Sequence, residues 1–215
     1  SEQQTKGKGR LGRVWKSKSG DGIWMSLIIK PKIEPYKAPF LTLVAGASVV
    51  KALSNLDVEA SIKWPNDIIV HNKKICGILT ELSAEMERVN YVVIGIGINI
   101  KTIDFPDEIK EKATSLYKEG YKLSRVDIVR QFCIEFEKLY KGYILDGNKQ
   151  DTLELCRKYS AIIGKQVYVI KNNKREVVKS IDINENGNLI VKEKNGEIQE
   201  IMSGEVSIRG VKGYV

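Results

Sequence analysis

The sequence predicts an α+β protein: a mixed β-sheet with helices over residues 1–163, then a small all-β barrel over residues 164–215. Two observations carry this prediction. Up to Gly164, apolar strand-like runs alternate with segments of helical periodicity. Beyond Gly164 the helical pattern stops and five short β-rich runs follow, with Asn186-Gly187 and Asn195-Gly196 between two pairs of them. Asn-Gly is a strong hairpin signal, because the favoured two-residue turn needs positive φ at both positions.

The elements follow in order. Gly22 to Ile29 reads as a buried strand stopped before Pro31. Leu41 to Leu56 carries apolar residues at helical spacing (Leu41, Val44, Ala45, Ser48, Val49, Leu53). Ile62 to Val70 reads as one strand interrupted by Pro65, followed by a turn at His71 to Lys74 and a return strand from Ile75 to Leu82. Val89 to Ile100 is a further apolar strand. Ser124 with Asp127 opens a helix predicted to bury Val129, Phe132, Cys133, Phe136, Leu139, Tyr140 and Tyr143. Leu153 to Ile163 is predicted as the last helix, ending at Gly164. The β-rich runs are Gln166 to Ile170, Glu176 to Ile183, Leu189 to Glu193, Glu197 to Met202 and Val206 to Val211.

Composition narrows the function classes. With 215 residues and 42% hydrophobic content, the chain can bury a sizeable core. The formal net charge of +8 favours acidic partners. Cys76, Cys133 and Cys156 are odd in number and widely spaced, the pattern of buried reduced thiols in a cytoplasmic protein. With His71 as the one histidine, a histidine-based metal cluster is excluded. No apolar run approaches the ~20 residues of a membrane span, and no secretory signal opens the chain. The chain starts without Met, so a further N-terminal segment is expected upstream.

The most informative segment is Gly7-Lys8-Gly9-Arg10-Leu11-Gly12-Arg13-Val14-Trp15. Its glycines allow close backbone approach to a ligand, and its cations suit phosphate or carboxylate. The spacing also spells Gly-x-Gly-x-x-Gly, yet no apolar strand precedes it and no helix follows, as a dinucleotide fold requires. A protein kinase is excluded, because the chain has neither an H-R-D nor a D-F-G triplet. A Walker A loop is absent too.

Other constellations join it. Lys63-Trp64-Pro65-Asn66-Asp67 sets a cation, an aromatic, an amide and a carboxylate around a strand break that can aim side chains into a cleft. Lys74 precedes Ile75-Cys76-Gly77-Ile78-Leu79, and its alternative reading is an exposed gatekeeper. Gly77, Gly95 and Gly97 lie inside strand-like runs, where something should need the space, and Asn99 ends its run with a polar group. No Ser-His or Cys-His pair is available for nucleophilic catalysis, so chemistry by positioning and charge neutralisation fits best.

These motifs, in this order, resemble the biotin protein ligases. The resemblance implies a catalytic domain of the type shared with class II aminoacyl-tRNA synthetases, followed by an SH3-like barrel. It implies that biotin and ATP form biotinyl-5′-AMP, with Mg2+ carried on the ATP phosphates. Biotin then passes to a lysine of a biotin carboxyl carrier protein. By the same resemblance Gln4, Lys8, Gly9, Arg10, Lys74 and Gly77 contact biotin. Arg10, Arg13, Trp15, Lys63, Asn66, Asp67, Lys74 and Asn99 contact ATP or the adenylate, and Arg10, Lys63 and Lys74 take the catalytic roles. Lys8 stands where the family usually has Arg, which loses a planar hydrogen-bonding fork. A Ser-Thr-Asn-like biotin motif of the family would lie before Ser1. No winged helix precedes the loop, so neither a repressor role nor a nucleic-acid partner is expected, and no membrane either. A homodimer is the expected assembly. Lipoate ligases are the enzymatic runner-up, and a basic nucleic-acid-binding protein is the non-enzymatic one.

Overall fold

The computed structural model describes residues 1–171, 174–203, 206–211 and 213–215. Its first sheet contains β1 (Gly22–Ile29), β2 (Ser61–Lys63), β3 (Asp67–Val70), β4 (Lys73–Glu85) and β5 (Arg88–Asn99), in the order β1-β5-β4-β3-β2. Every ladder pairing is antiparallel, and parallel contacts are confined to single bridges such as Ile62 with Ser160. The strand expected from Ile62 to Val70 is two strands. Pro65 lies not in a break within one strand but in a reversal, so β2 folds back on β3 with Lys63 opposite Asp67. A proline lacks the N–H that a continuous ladder would need.

Helix α1 (Phe40–Ser54) packs on β2, β3 and β4 with one side, and on α2 (Arg125–Leu145) and α3 (Gln150–Lys158) with another. It is buried almost all round, from Phe40 to Leu53. Each such Leu or Val contributes about 1.5–3 kcal/mol by leaving water. The stretch Pro35–Ser54 is 20 residues long with a hydropathy of 1.2, so by length and composition it does reach a membrane span. However, 72% of its most apolar window is buried inside this fold.

Helix α2 starts as predicted, with the Ser124 hydroxyl accepting from the Val126 N–H at 3.2 Å. Its buried face is Ile128, Phe132, Phe136, Leu139 and Tyr143. Val129 and Tyr140 are half-buried and Cys133 is exposed, because the contact face is a narrower stripe than the apolar composition suggested. The last helix begins earlier and ends earlier than expected: Tyr159 leaves helical geometry, and its carbonyl accepts from the Ile62 N–H at 2.7 Å instead.

The second sheet runs β10-β6-β7-β8-β9, with β6 (Gln166–Lys171), β7 (Lys174–Ile183), β8 (Leu189–Lys192), β9 (Ile198–Ile201) and β10 (Ser207–Gly210), all antiparallel. The predicted turn glycines Gly187 and Gly196 have φ of 83° and 93°. The sheet is fastened to the preceding part of the chain at several points. Arg157 of α3 reaches Asp182 at 2.8 Å, and the Trp64 indole N–H donates to the Gly187 carbonyl at 3.0 Å.

Candidate active site

The glycine loop folds as a narrow hairpin. Lys8 bridges Val14, the Gly9 N–H donates to the Arg13 carbonyl at 2.7 Å, and the Trp15 N–H donates to the Gly7 carbonyl at 2.9 Å. At its tip Leu11 takes φ 57°, a left-handed conformation that ordinarily disfavours a branched side chain. The hairpin returns Trp15 onto the face of the sheet. A Cβ on Gly97 would lie 2.7 Å from the indole, and one on Gly77 would lie 2.9 Å from it. The space left by these strand glycines is thus taken by Trp15.

Two cavities share this indole as a wall. The smaller, of about 220 Å3, is lined by Gln4, Lys8, Gly9, Arg10, Lys74 and Gly77 together with Met25, Ser26, Val93 and Gly97. The larger, of about 880 Å3, is lined by Arg10, Arg13, Trp15, Lys63, Asn66, Asp67, Lys74 and Asn99, together with Phe105, Lys112, Arg209 and Tyr214. Every residue that the resemblance gave to biotin or to ATP therefore lines one cavity or both. Gly9, Arg10, Trp15, Asn66 and Lys74 line both and mark the junction.

Hydrogen bonds fix the junction. The Arg10 guanidinium donates to Asn66 Oδ1 at 2.8 Å and to the Ser203 carbonyl at 2.5 Å. Asn66 in turn donates to the Ile78 carbonyl at 3.0 Å. Lys74 pairs with Asp67 at 2.5 Å, and its ammonium lies 5.3 Å from the centre of the Trp15 ring. The Lys74 backbone is clamped on both sides: its N–H donates to the Lys112 carbonyl at 2.8 Å, and its carbonyl accepts from the Thr114 N–H at 2.9 Å. Lys74 thus sits half-buried in β4 with a half-buried partner, unlike an exposed gatekeeper. Asn99 is held by the Thr114 carbonyl at 3.1 Å. Lys8 lies at the exposed rim, 3.5 Å from Glu81. Gln4 is exposed too, its backbone paired with Ser17.

The electrostatics of the larger cavity are those of a site short of anions. Lys63 is 2% exposed, and among the described residues its ammonium has no hydrogen-bond partner; it rests 3.3 Å from the centre of the Tyr214 ring. Burial brings its pKa down from 10.5 to about 7, against the attraction of Asp67 and with help from Arg209, Lys74 and Arg13. Burial would raise the Asp67 carboxyl, but Lys74, the Tyr214 hydroxyl and Lys63 outweigh it and hold it below its usual range. Burial likewise lowers Arg10, with Asp67 opposing. A phosphate-bearing ligand would supply the missing negative charge. Among the described residues, no three His, Cys, Asp or Glu side chains converge as metal ligands.

Tyr214 and Arg209 escaped the sequence reading. Neither lies in a recognisable motif, and both reach the cavity only because the second sheet docks here. An aromatic and a cation close to the chain end carry no signal of that docking.

Residues 1–99 match the family described as Biotin/lipoate A/B protein ligase family, and residues 162–209 match the Biotin protein ligase C terminal domain. The Bifunctional ligase/repressor BirA of Bacillus subtilis (strain 168) is 40% identical over 212 residues, covering 97% of this chain and 65% of the relative. Its Escherichia coli (strain K12) counterpart is 28% identical, covering 99% and 66%. The chain thus spans just under two thirds of the length of these relatives. Among solved structures, the biotin protein ligase from Aquifex aeolicus in complex with biotin and ATP superposes with a TM-score of 0.84 at 31% identity, covering 97% of this chain and 87% of that one.

Proposed function

Because this chain belongs to the biotin protein ligase family, we propose that it makes biotinyl-5′-AMP from biotin and ATP and then transfers biotin to a lysine of a biotin carboxyl carrier protein. The observation that carries this reading is the meeting of two cavities at Arg10, Asn66 and Lys74. We assign biotin to the smaller cavity and ATP to the larger, which brings the biotin carboxylate and the α-phosphate together at the two cations.

In the first step a carboxylate oxygen attacks the α-phosphorus, the new P–O bond forms, and the bond to pyrophosphate breaks. Both reactants are anionic. Lys74 and Arg10 offset their repulsion most in the transition state, where charge from both is concentrated between them. Asn66 orients Arg10, and Asp67 orients Lys74. Lys63 and Arg13 face the phosphates from the larger cavity. In the second step the carrier lysine amine attacks the acyl carbon, AMP leaves, and an amide forms. Mg2+ is assigned to the ATP phosphates as part of the substrate. The catalytic unit is residues 1–163, and the second sheet, residues 164–215, closes the nucleotide side. Free cysteines, none of them bridged among the described residues, support a reducing, cytoplasmic setting. The outer edge of β1, beside which no further strand lies among the described residues, supports a homodimer.

Biotin-dependent exchange of labelled pyrophosphate into ATP tests the reading. Exchange with biotin and none without it is expected. Exchange driven by lipoate in place of biotin would move the assignment to the lipoate branch of the family, and no exchange with either acid would overturn it.

A further inference from the structure

The second sheet does more than cover the larger cavity. After β10 the chain doubles back, and the Gly210 N–H donates to the Tyr214 carbonyl at 3.3 Å. The return passes so close to Gly210 that a Cβ there would lie 2.2 Å from the Val215 backbone. This doubling back delivers the Tyr214 side chain into the site. Its hydroxyl donates to Asp67 Oδ2 at 2.5 Å, leaving Oδ1 for Lys74. Its ring carries the ammonium of Lys63 at 3.3 Å from the centroid.

One side chain therefore touches one cation, Lys63, and the partner of another, Lys74, and the two cations belong to different elements. Lys63 ends β2 and Lys74 lies in β4. Asp67 has two oxygens, and which of them faces Lys74 depends on what holds the other. Among the described residues the Lys63 ammonium has no hydrogen bond, so the ring face is what localises it. Tyr214 is too far along the chain to be tied to either lysine by local geometry. Its place is set by the docking of the second sheet.

We propose that Tyr214 is a positioning residue for adenylate formation, fixing Lys74 through Asp67 with its hydroxyl and Lys63 with its ring. The inference rests on the ligase reading above. It distributes the work between two separable groups of one side chain. Tyr214→Phe keeps the ring under Lys63 and removes the hold on Asp67. Tyr214→Leu removes both.

The test is single-turnover formation of biotinyl-5′-AMP by the full chain at saturating biotin and ATP, alongside ATP affinity and the melting temperature. Tyr214→Phe is expected to slow the step about tenfold, the weight of one hydrogen bond to a charged group, with ATP affinity within about threefold of wild type. Tyr214→Leu is expected to slow it about tenfold further. A purely structural tyrosine makes a different forecast: Phe behaves as wild type, and the Leu defect follows the loss in melting temperature. That pattern, or rates within twofold of wild type for both variants, overturns the proposal. If Tyr214→Leu does not fold, the rate of Tyr214→Phe decides alone. A wild-type chain with no biotin-dependent exchange would instead overturn the ligase reading itself, which the variants do not touch.

Discussion

The two cavities that meet at Arg10 are built from different lengths of chain. The smaller takes all its walls from residues 4–97, that is, from the glycine loop and the residues just before it, the strands of the first sheet and Asn66 of the β2–β3 reversal. The larger gathers residues from 9 to 214 and closes only where β10 and the segment after it arrive. The first is a local product of motif and ladder, and the second is a product of docking. What differs chemically follows from this. The rim of the smaller cavity is wet, and its Lys8–Glu81 pair is exposed on both sides. The larger contains a buried ammonium and a carboxylate shared by a lysine and a tyrosine.

The junction should be the point where one change damages both sides. Lys74→Gln is expected to lower the rate of biotinyl-5′-AMP formation by about 10²- to 10³-fold, as removal of a positioned charge-stabilising donor does. ATP affinity should change far less, since Lys63, Arg13 and Arg209 still line the larger cavity. A wild-type single-turnover rate would separate Lys74 from the chemistry and leave the two cavities without a common working part.

Arg10→Ala should have the next largest effect. It removes the bonds to Asn66 and to the Ser203 carbonyl, so it cuts the loop from both the first sheet and the second. A charged hydrogen bond is worth about 1.5–3 kcal/mol, so the adenylate should leak about ten- to a hundred-fold faster. Unchanged retention with a lowered melting temperature would make Arg10 a brace between the sheets and nothing more.

The smallest effect belongs to the larger cavity alone. Lys63 is lowered in the folded chain to about 7 from 10.5, so between those values the unfolded chain binds the extra proton. Stability then rises with pH across that window, and the penalty for burying the ammonium is full below pH 7. Lys63→Met should be more stable than wild type at pH 6, and the gap should close as pH rises towards 10. In the wild type, ATP binding near pH 8 should take up a proton, seen as a binding enthalpy that varies with the ionisation enthalpy of the buffer. Parallel stability curves for the two proteins, with no buffer dependence, would show that the ammonium is not isolated as the geometry has it.

Much of the smaller cavity could be read in the sequence, because it is written in contiguous motifs. The glycine loop, Lys74 with Gly77, and the strand glycines each announce a local peculiarity. What those glycines accommodate was not legible: the Trp15 indole reaches Gly77 and Gly97 across more than sixty residues of chain. In the sequence Pro65 reads as a break within one strand. Only the pairing of Lys63 with Asp67 reveals the reversal, and that pairing depends on β4 as the next neighbour. The exposed Cys133 shows a further limit, since an apolar residue beside a helix stripe gives no sign of whether the partner surface is wide enough to cover it. Tyr214 is the extreme case, with a role that exists only once two sheets have met.

Helix α1 has no polar side to turn towards water. In the finished fold the first sheet, α2 and α3 share its surface between them. The sheet strands β2 to β5 and both helices all follow it in sequence, with α2 starting at Arg125 and α3 at Gln150. A chain that has made α1 but not yet docked these later segments therefore presents an adhesive apolar rod. Its hazard during refolding is self-association, and yield should fall with protein concentration far more steeply than final stability would suggest.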